Sequence, residues 1–384
     1  MKCQRELFSL PEDAIYLNCA YMGPLPKVTQ EAGVRGVMRK ADPTSLTIDD
    51  FFSPVERLRG LVARLVHTQP ERVAMIPSVS YGIQLAVNNT PLSEGQNIVV
   101  PEEEFPSNVY GWMQKAREAG AEMRFVPRPK DSQTPGSDWS ASIIAAMDDN
   151  TAVVNMTPVH WTDGTLFDLE NIGRRARELG ALFLVDGTQS VGARPFDFST
   201  IQPDLLVVAD YKWCLGPYTY GFAVVGDRLM KGRPLEESWL NRSGSEDFAN
   251  LAHYTDQLRP AASRFDMGEH PNFVAVPMLT ASLEQILAWG VENIQAHCSE
   301  LLAHVSRELE GSEFAMTPPG ERADHLFGIH FMDMSRVPGI MEALQKRRIF
   351  VSVRGNAIRV SPHVYNRPED LSTLAEALLS TKGV

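Results

Sequence analysis

The sequence predicts an α/β protein: a mainly parallel seven-stranded sheet with helices on both faces, followed by a small C-terminal α+β domain. Two observations lead there. Between about residues 70 and 226, seven short apolar runs alternate with helix-like segments. Several of those runs are continuous rather than alternating, as expected of strands covered on both faces. Beyond about residue 230 the rhythm changes, and shorter strand and helix signals take over.

Taken in order, residues 1–20 read as an N-terminal arm and residues 21–255 as the large domain. Its strands are "RVAMIPS", "NIVVP", "AEMRFVP", "TAVVNMTP", "ALFLVDG", "DLLVVAD" and "GFAVVGD". In such a sheet functional residues gather where strands end and loops begin. Asp186 and Lys212 each stand just past an apolar run. The stretch "WLNRSGSEDFANLAHY" is irregular, and residues 256–384 form the small domain, with helical patterns over 272–310 and 336–346. The rest of it reads as "HLFGIHFMD", "FVSV", "AIRVS" and a last helix from "RPEDL". No repeat, low-complexity tract or Gly/Ser linker separates the two domains, so they are expected to pack together.

Composition narrows the function. A chain of 384 residues with 43% hydrophobic and 22% charged residues is long enough to bury a sizeable core. Its net charge of -12 argues against nucleic acid or an anionic membrane as the main partner and favours a small-molecule ligand. No apolar run approaches membrane-spanning length, and the N-terminus lacks the basic, apolar and small-residue succession of a secretion signal, so a cytoplasmic location is expected. Cys3, Cys19, Cys214 and Cys298 form no CxxC pair and read as reduced thiols, with neither a disulfide framework nor a metal site. Phosphate-loop, dinucleotide and zinc-protease motifs do not occur.

The chemistry is carried by "FLVDGTQSVG" and "ADYKWCLGP". A single crossover would bring the acid at the end of one buried strand beside the lysine at the end of the next. An ion pair would satisfy both charges, yet a buried pair is at best weakly stabilising. The alternative is a pyridoxal 5'-phosphate site, in which a lysine forms a Schiff base with the cofactor aldehyde and a carboxylate keeps the pyridine nitrogen protonated.

Asp186, Gln189, Lys212 and Gly216-Pro217 together resemble the pattern of the fold-type-I, class-V aminotransferase superfamily, which includes cysteine desulfurases, kynureninases and isopenicillin N epimerase-like proteins. The resemblance implies the fold-type-I transferase architecture and a role for further residues. Ser78, Val79 and Ser80 in "IPSVSYG" would meet the phosphate at a helix N-terminus, and Tyr211 would reach it too. Phe105 in "EEEFPSN" would lie over the cofactor ring, Asp186 would bind its nitrogen and Gln189 its phenolic oxygen. Asn108, His160 and Trp161 would border the substrate, and Arg359 in "AIRVSPHVYN" would receive its α-carboxylate, for which the rigid guanidinium fork is suited.

One departure is informative. Desulfurases carry a long loop with a nucleophilic cysteine between the positions of Arg354 and Arg359; here only "GNAI" separates them, and no cysteine follows Cys298. A persulfide-forming desulfurase is therefore not expected. The sequence points to an enzyme acting on an amino acid through Lys212, an aminotransferase in the first instance, with a C–S or kynureninase-type lyase or an epimerase as alternatives and a non-catalytic binding module least favoured. The resemblance also implies a homodimer with shared active sites, completed from "WLNRSGSEDFANLAHY" by residues such as Asn241, Arg242 or Tyr254.

Overall fold

The computed structural model describes residues 1–331 and 333–381. Its strands in chain order are β1 (Ile15–Tyr16), β2 (Val73–Ile76), β3 (Asn97–Pro101), β4 (Glu122–Val126), β5 (Thr151–Met156), β6 (Leu182–Asp186), β7 (Leu205–Ala209), β8 (Gly221–Val225), β9 (Ala315–Met316), β10 (Phe327–His330), β11 (Ile349–Phe350), β12 (Ser352–Arg354) and β13 (Ala357–Val360). All seven runs read from the sequence are strands of one sheet, ordered β2-β8-β7-β6-β5-β3-β4. Within it β8 alone runs antiparallel to its neighbours.

The packing explains why those runs are continuously apolar. Met75, Val154, Phe183, Val185, Leu206 and Phe222 point into one core, whereas Ala74, Val153, Leu184, Val207 and Ala223 point into a second core on the opposite face. Side chains alternate across a strand, so a sheet with helices on both faces needs an apolar residue at every position. The exposed edge strand β4 departs from that rule. Its Arg124 bonds Glu122 at 2.9 Å and Asp148 at 2.6 Å, and charge on an edge discourages further pairing.

The small domain has its own core, built on the antiparallel sheet β12-β13-β10-β9 and the helices Val291–Glu308, Val337–Lys346 and Pro368–Leu379. Its extent differs at both ends from the sequence reading. β1 pairs in parallel with β11 and Leu17 enters the small-domain core, so the N-terminal arm is partly a component of that domain. Residues 261–289 belong instead with the large sheet: Ala262 and Phe265 join one of its cores, and Leu279, Leu283 and Ile286 of the helix Ala275–Trp289 join the other. Apolar spacing reveals that this helix buries a face but not which partner covers it.

After β1 the chain crosses between the domains. Cys19 N and Ala20 N donate to Ser361 O and Oγ in the small domain, and Gly23 N donates to Tyr211 O beside Lys212. Glycine is required at 23, because a Cβ there would stand 2.0 Å from the Lys212 carbonyl oxygen.

Candidate functional site

A cavity of about 400 Å³ opens where β2, β3, β5, β6 and β7 end, the edge at which an open α/β sheet offers loops and helix N-termini to a ligand. Pro77–Ser80 follow β2, Glu104, Phe105 and Ser107 follow β3, and Thr157 and Trp161 follow β5. Asp186, Thr188 and Gln189 close its floor from β6, and Ala209, Tyr211 and Lys212 from β7. Adjacent parallel strands in register, with Asp186 opposite Val207, bring these sequence-distant groups together.

Lys212 is 7% exposed and Asp186 6% exposed, yet they form no ion pair. Lys212 Nζ lies 5.5 Å from the ring centroids of both Phe105 and Tyr211, and no protein acceptor among the described residues takes its protons. Burial lowers its pKa to about 8 against the pull of Asp186, with the Arg359 and Arg354 guanidiniums lowering it further. Asp186 accepts a 2.9 Å bond from Thr188 N, and burial raises its pKa despite the bonds from Thr188 and the charge of Lys212. An acid and an amine that line one cavity without pairing leave room for a third group that satisfies both.

The other predicted residues divide into those at the cavity and those behind it. Ser78 caps the helix Val79–Asn89, accepting from Tyr81 N at 3.2 Å, and its hydroxyl lies 2.9 Å from that of Ser80. Val79 is the first helical residue, so free N–H groups and the positive helix end face the cavity there. Phe105 and Trp161 meet edge to face at 5.5 Å on the opposite wall. Asn108 is fully buried behind them, its Nδ2 3.4 Å from Glu104 Oε1 and its carbonyl oxygen accepting from Asn155. His160 does not line the cavity: it packs on Trp139 at 5.1 Å, and its Nδ1 accepts from Arg128 at 3.0 Å. Burial, with the charge of Arg128, lowers its pKa to about 4 and keeps the ring neutral.

Arg359, on β13 of the small domain, does not line the cavity but stands behind its Trp161 wall. It is 2% exposed, donates to Trp161 O at 2.8 Å, and its Nε has no partner. No carboxylate pairs with it among the described residues, and burial beside Arg354 brings its pKa down to about 9. A buried guanidinium without an anion is costly unless an anionic ligand completes it. Between the two arginines, Gly355 and Asn356 form a tight turn, with Arg354 paired to Ala357, which leaves no room for a long loop.

Glu104 is the residue that sequence reasoning missed. Its carboxyl lines the cavity and bonds Phe105 N at 2.6 Å, Oε2 has no partner, and burial pushes its pKa up to about 8, with Asp186 adding to the rise. In "EEEFPSN" it is one of three consecutive glutamates, and nothing local marks it as the buried one. Of the residues proposed for a partner's site, Asn241 is fully buried and donates to Asp266 O at 2.9 Å, so it serves its own chain. Arg242 pairs with Glu237, and Tyr254 is 96% exposed.

Known proteins resemble this chain in sequence and fold. The chain matches the Aminotransferase class-V family over residues 45–374. An uncharacterized aminotransferase of Bacillus subtilis is 24% identical over 86% of this chain and 88% of the relative. The isopenicillin N epimerase of Amycolatopsis lactamdurans is 27% identical over 97% of this chain and 96% of its own length. Among solved structures, the cysteine desulfurase of Thermococcus onnurineus superposes with a TM-score of 0.84 at 18% identity, covering 100% of this chain and 99% of that one, a likeness of fold. This chain belongs to the class-V aminotransferase family, whose enzymes use pyridoxal 5'-phosphate.

Proposed function

We propose that the protein is an aminotransferase that binds pyridoxal 5'-phosphate through Lys212 and acts on an amino acid. The observation that carries this reading is the buried, unpaired Lys212 lining the same cavity as the buried Asp186. When bound, the cofactor supplies an aldehyde that captures the substrate amine and a ring that accepts the electron pair released at Cα. Asp186 would hold a proton on the ring nitrogen, and Ser78, Ser80 and the N–H groups of the following helix would meet the phosphate. Arg359 would orient the substrate carboxylate with two parallel bonds. Lys212 Nζ, with a pKa lowered to about 8, has a substantial neutral fraction near neutral pH and would take and return the substrate proton.

Where that proton returns separates an aminotransferase from an epimerase, and loss of a side-chain substituent defines a lyase. The short turn between Arg354 and Arg359 supports the readings other than a desulfurase. Lys212 is the sole cation lining the cavity among the described residues. A phosphate dianion would therefore lack a counter-charge within one chain, which supports a homodimer in which the second subunit completes the site.

The test is the visible spectrum of protein loaded with pyridoxal 5'-phosphate, before and after addition of L-amino acids without an acceptor. A yellow band that bleaches stably, and that Lys212→Ala lacks, is the expected result. A band that persists while a keto acid accumulates would establish a lyase, and racemised substrate an epimerase. A protein that takes up no cofactor would overturn the assignment.

A further inference from the structure

Gln189 faces the cavity, but its orientation is set from behind. Trp213 Nε1 donates to Gln189 Oε1 at 2.9 Å. An indole nitrogen can only donate, so the amide oxygen must point at Trp213 and the amide nitrogen away from it. Gln189 Nε2 donates one hydrogen to Ala20 O at 3.2 Å, and the second finds no protein acceptor among the described residues. The backbone is held as well, because Gln189 O lies 2.7 Å from His325 Nε2, which must carry the hydrogen.

The indole itself has no freedom to turn. It is fully buried, with His325 edge-on at 4.5 Å and His363 stacked at 5.8 Å, both rings also fully buried. Trp213 immediately follows Lys212, so the strand end that presents the amine also presents the indole.

We propose that Trp213 is a positioning residue: by fixing the amide of Gln189 through the indole N–H, it turns an amide N–H into the cavity as a donor for an anionic ring oxygen of the cofactor. The proposal rests on the pyridoxal 5'-phosphate reading. An amide has nearly the same shape either way round; without the indole donor its oxygen is left unsatisfied in a buried pocket, and only the longer bond to Ala20 O still opposes a flip that would turn oxygen toward the anion.

The test titrates cofactor-free protein with pyridoxal 5'-phosphate and records the pH at which the visible band of the loaded protein changes. Trp213→Phe keeps an aromatic ring in the pocket but removes the donor together with the volume of one fused ring, so the double-mutant comparison separates the two effects. Affinity is expected to fall roughly tenfold, as for loss of one hydrogen bond to a charged group, and the pH midpoint of the band to move. The effect is expected to vanish in a Gln189→Ala background, whereas a packing role would lower affinity equally in both. Gln189→Glu, which leaves Trp213 untouched and keeps an acceptor for it but has no donor, is expected to bind at least as poorly as Gln189→Ala. Wild-type affinity in Trp213→Phe or in Gln189→Glu, or additivity of Trp213→Phe with Gln189→Ala, would overturn the proposal. If the wild-type chain takes up no cofactor, the function reading itself fails and this inference falls with it.

Discussion

Two of the groups of buried charge in this molecule are treated in opposite ways. Arg59, on the helix Ser53–Leu65, pairs with Asp266, donates to Val73 O and bonds Glu56 at 3.1 Å. Asp266 in turn accepts from Met75 N at 2.7 Å, and its carbonyl accepts from Asn241. Almost every polar atom there has a partner from its own chain. At the cavity, Lys212, Asp186 and Glu104 are also buried but remain apart, and neither Glu104 Oε2 nor Nε of Arg359, behind the Trp161 wall, has a partner. Buried charge is expensive in either place. The first set offsets the cost by mutual satisfaction and ties β2 to the distant residues 261–266, whereas the second leaves it to a ligand. Burial alone therefore does not identify a functional charge; what sets the second group apart is that it gathers at a cavity without pairing.

The comparison breaks most visibly if one acid is removed from each set. Asp266→Ala leaves Arg59 buried and uncompensated, and its unfolding free energy is expected to fall by about 3–5 kcal/mol in denaturant titration. Asp186→Ala should cost no such stability in the cofactor-free protein, but should lower turnover by about 100-fold or more, because the proton on the ring nitrogen loses its support. Equal destabilisation by both substitutions would dissolve the distinction. The next effect concerns Arg359→Lys, which keeps the charge and discards the fork; kcat/KM is expected to fall roughly tenfold or more, with the larger part in KM, while the melting temperature holds.

The smallest effect is in the pH dependence of stability without cofactor. Glu104 is pushed from the usual 4.5 up to about 8. Below about pH 4.5 its carboxyl is protonated in folded and unfolded chains alike and costs nothing. As pH rises toward 8 the unfolded chain ionises first and stability is lost. Lys212, lowered from 10.5 to about 8, has the reverse profile: its penalty is complete below pH 8 and is relieved between about 8 and 10.5. Glu104→Gln should accordingly stabilise the protein at pH 8 and not at pH 4, and Lys212→Met should stabilise it at pH 7 and progressively less above pH 8. Thermal melts across that range would show whether the two profiles separate.

Much of this was legible in the linear sequence, and the reasons are local. Continuous apolar runs mark strands covered on both faces, and the seven runs are the seven strands of the large sheet. A charged residue immediately after such a run must sit at a strand end, which placed Asp186 and Lys212 at the same edge of the sheet before any distance was known. The missing loop between Arg354 and Arg359 could be read by counting residues. The boundary of the small domain could not, because the helix Ala275–Trp289 has an apolar face that would suit either core. Nor could Glu104 be told from Glu102 and Glu103, since three neighbouring glutamates have the same local chemistry and differ only in what covers them.

The set of elements and the chemical types at their ends are therefore encoded locally, because they follow from periodicity and burial within a few residues. The tertiary structure decided which of those groups are satisfied. It set Lys212 and Asp186 in one cavity without pairing them, brought Arg359 in from another domain to bond the carbonyl of Trp161, turned Gln189 by the indole of Trp213, and passed residues 18–23 between the domains to lie against the lysine. Each is a relation between positions far apart in the chain, fixed by how whole layers pack, and no local pattern encodes the distance between them.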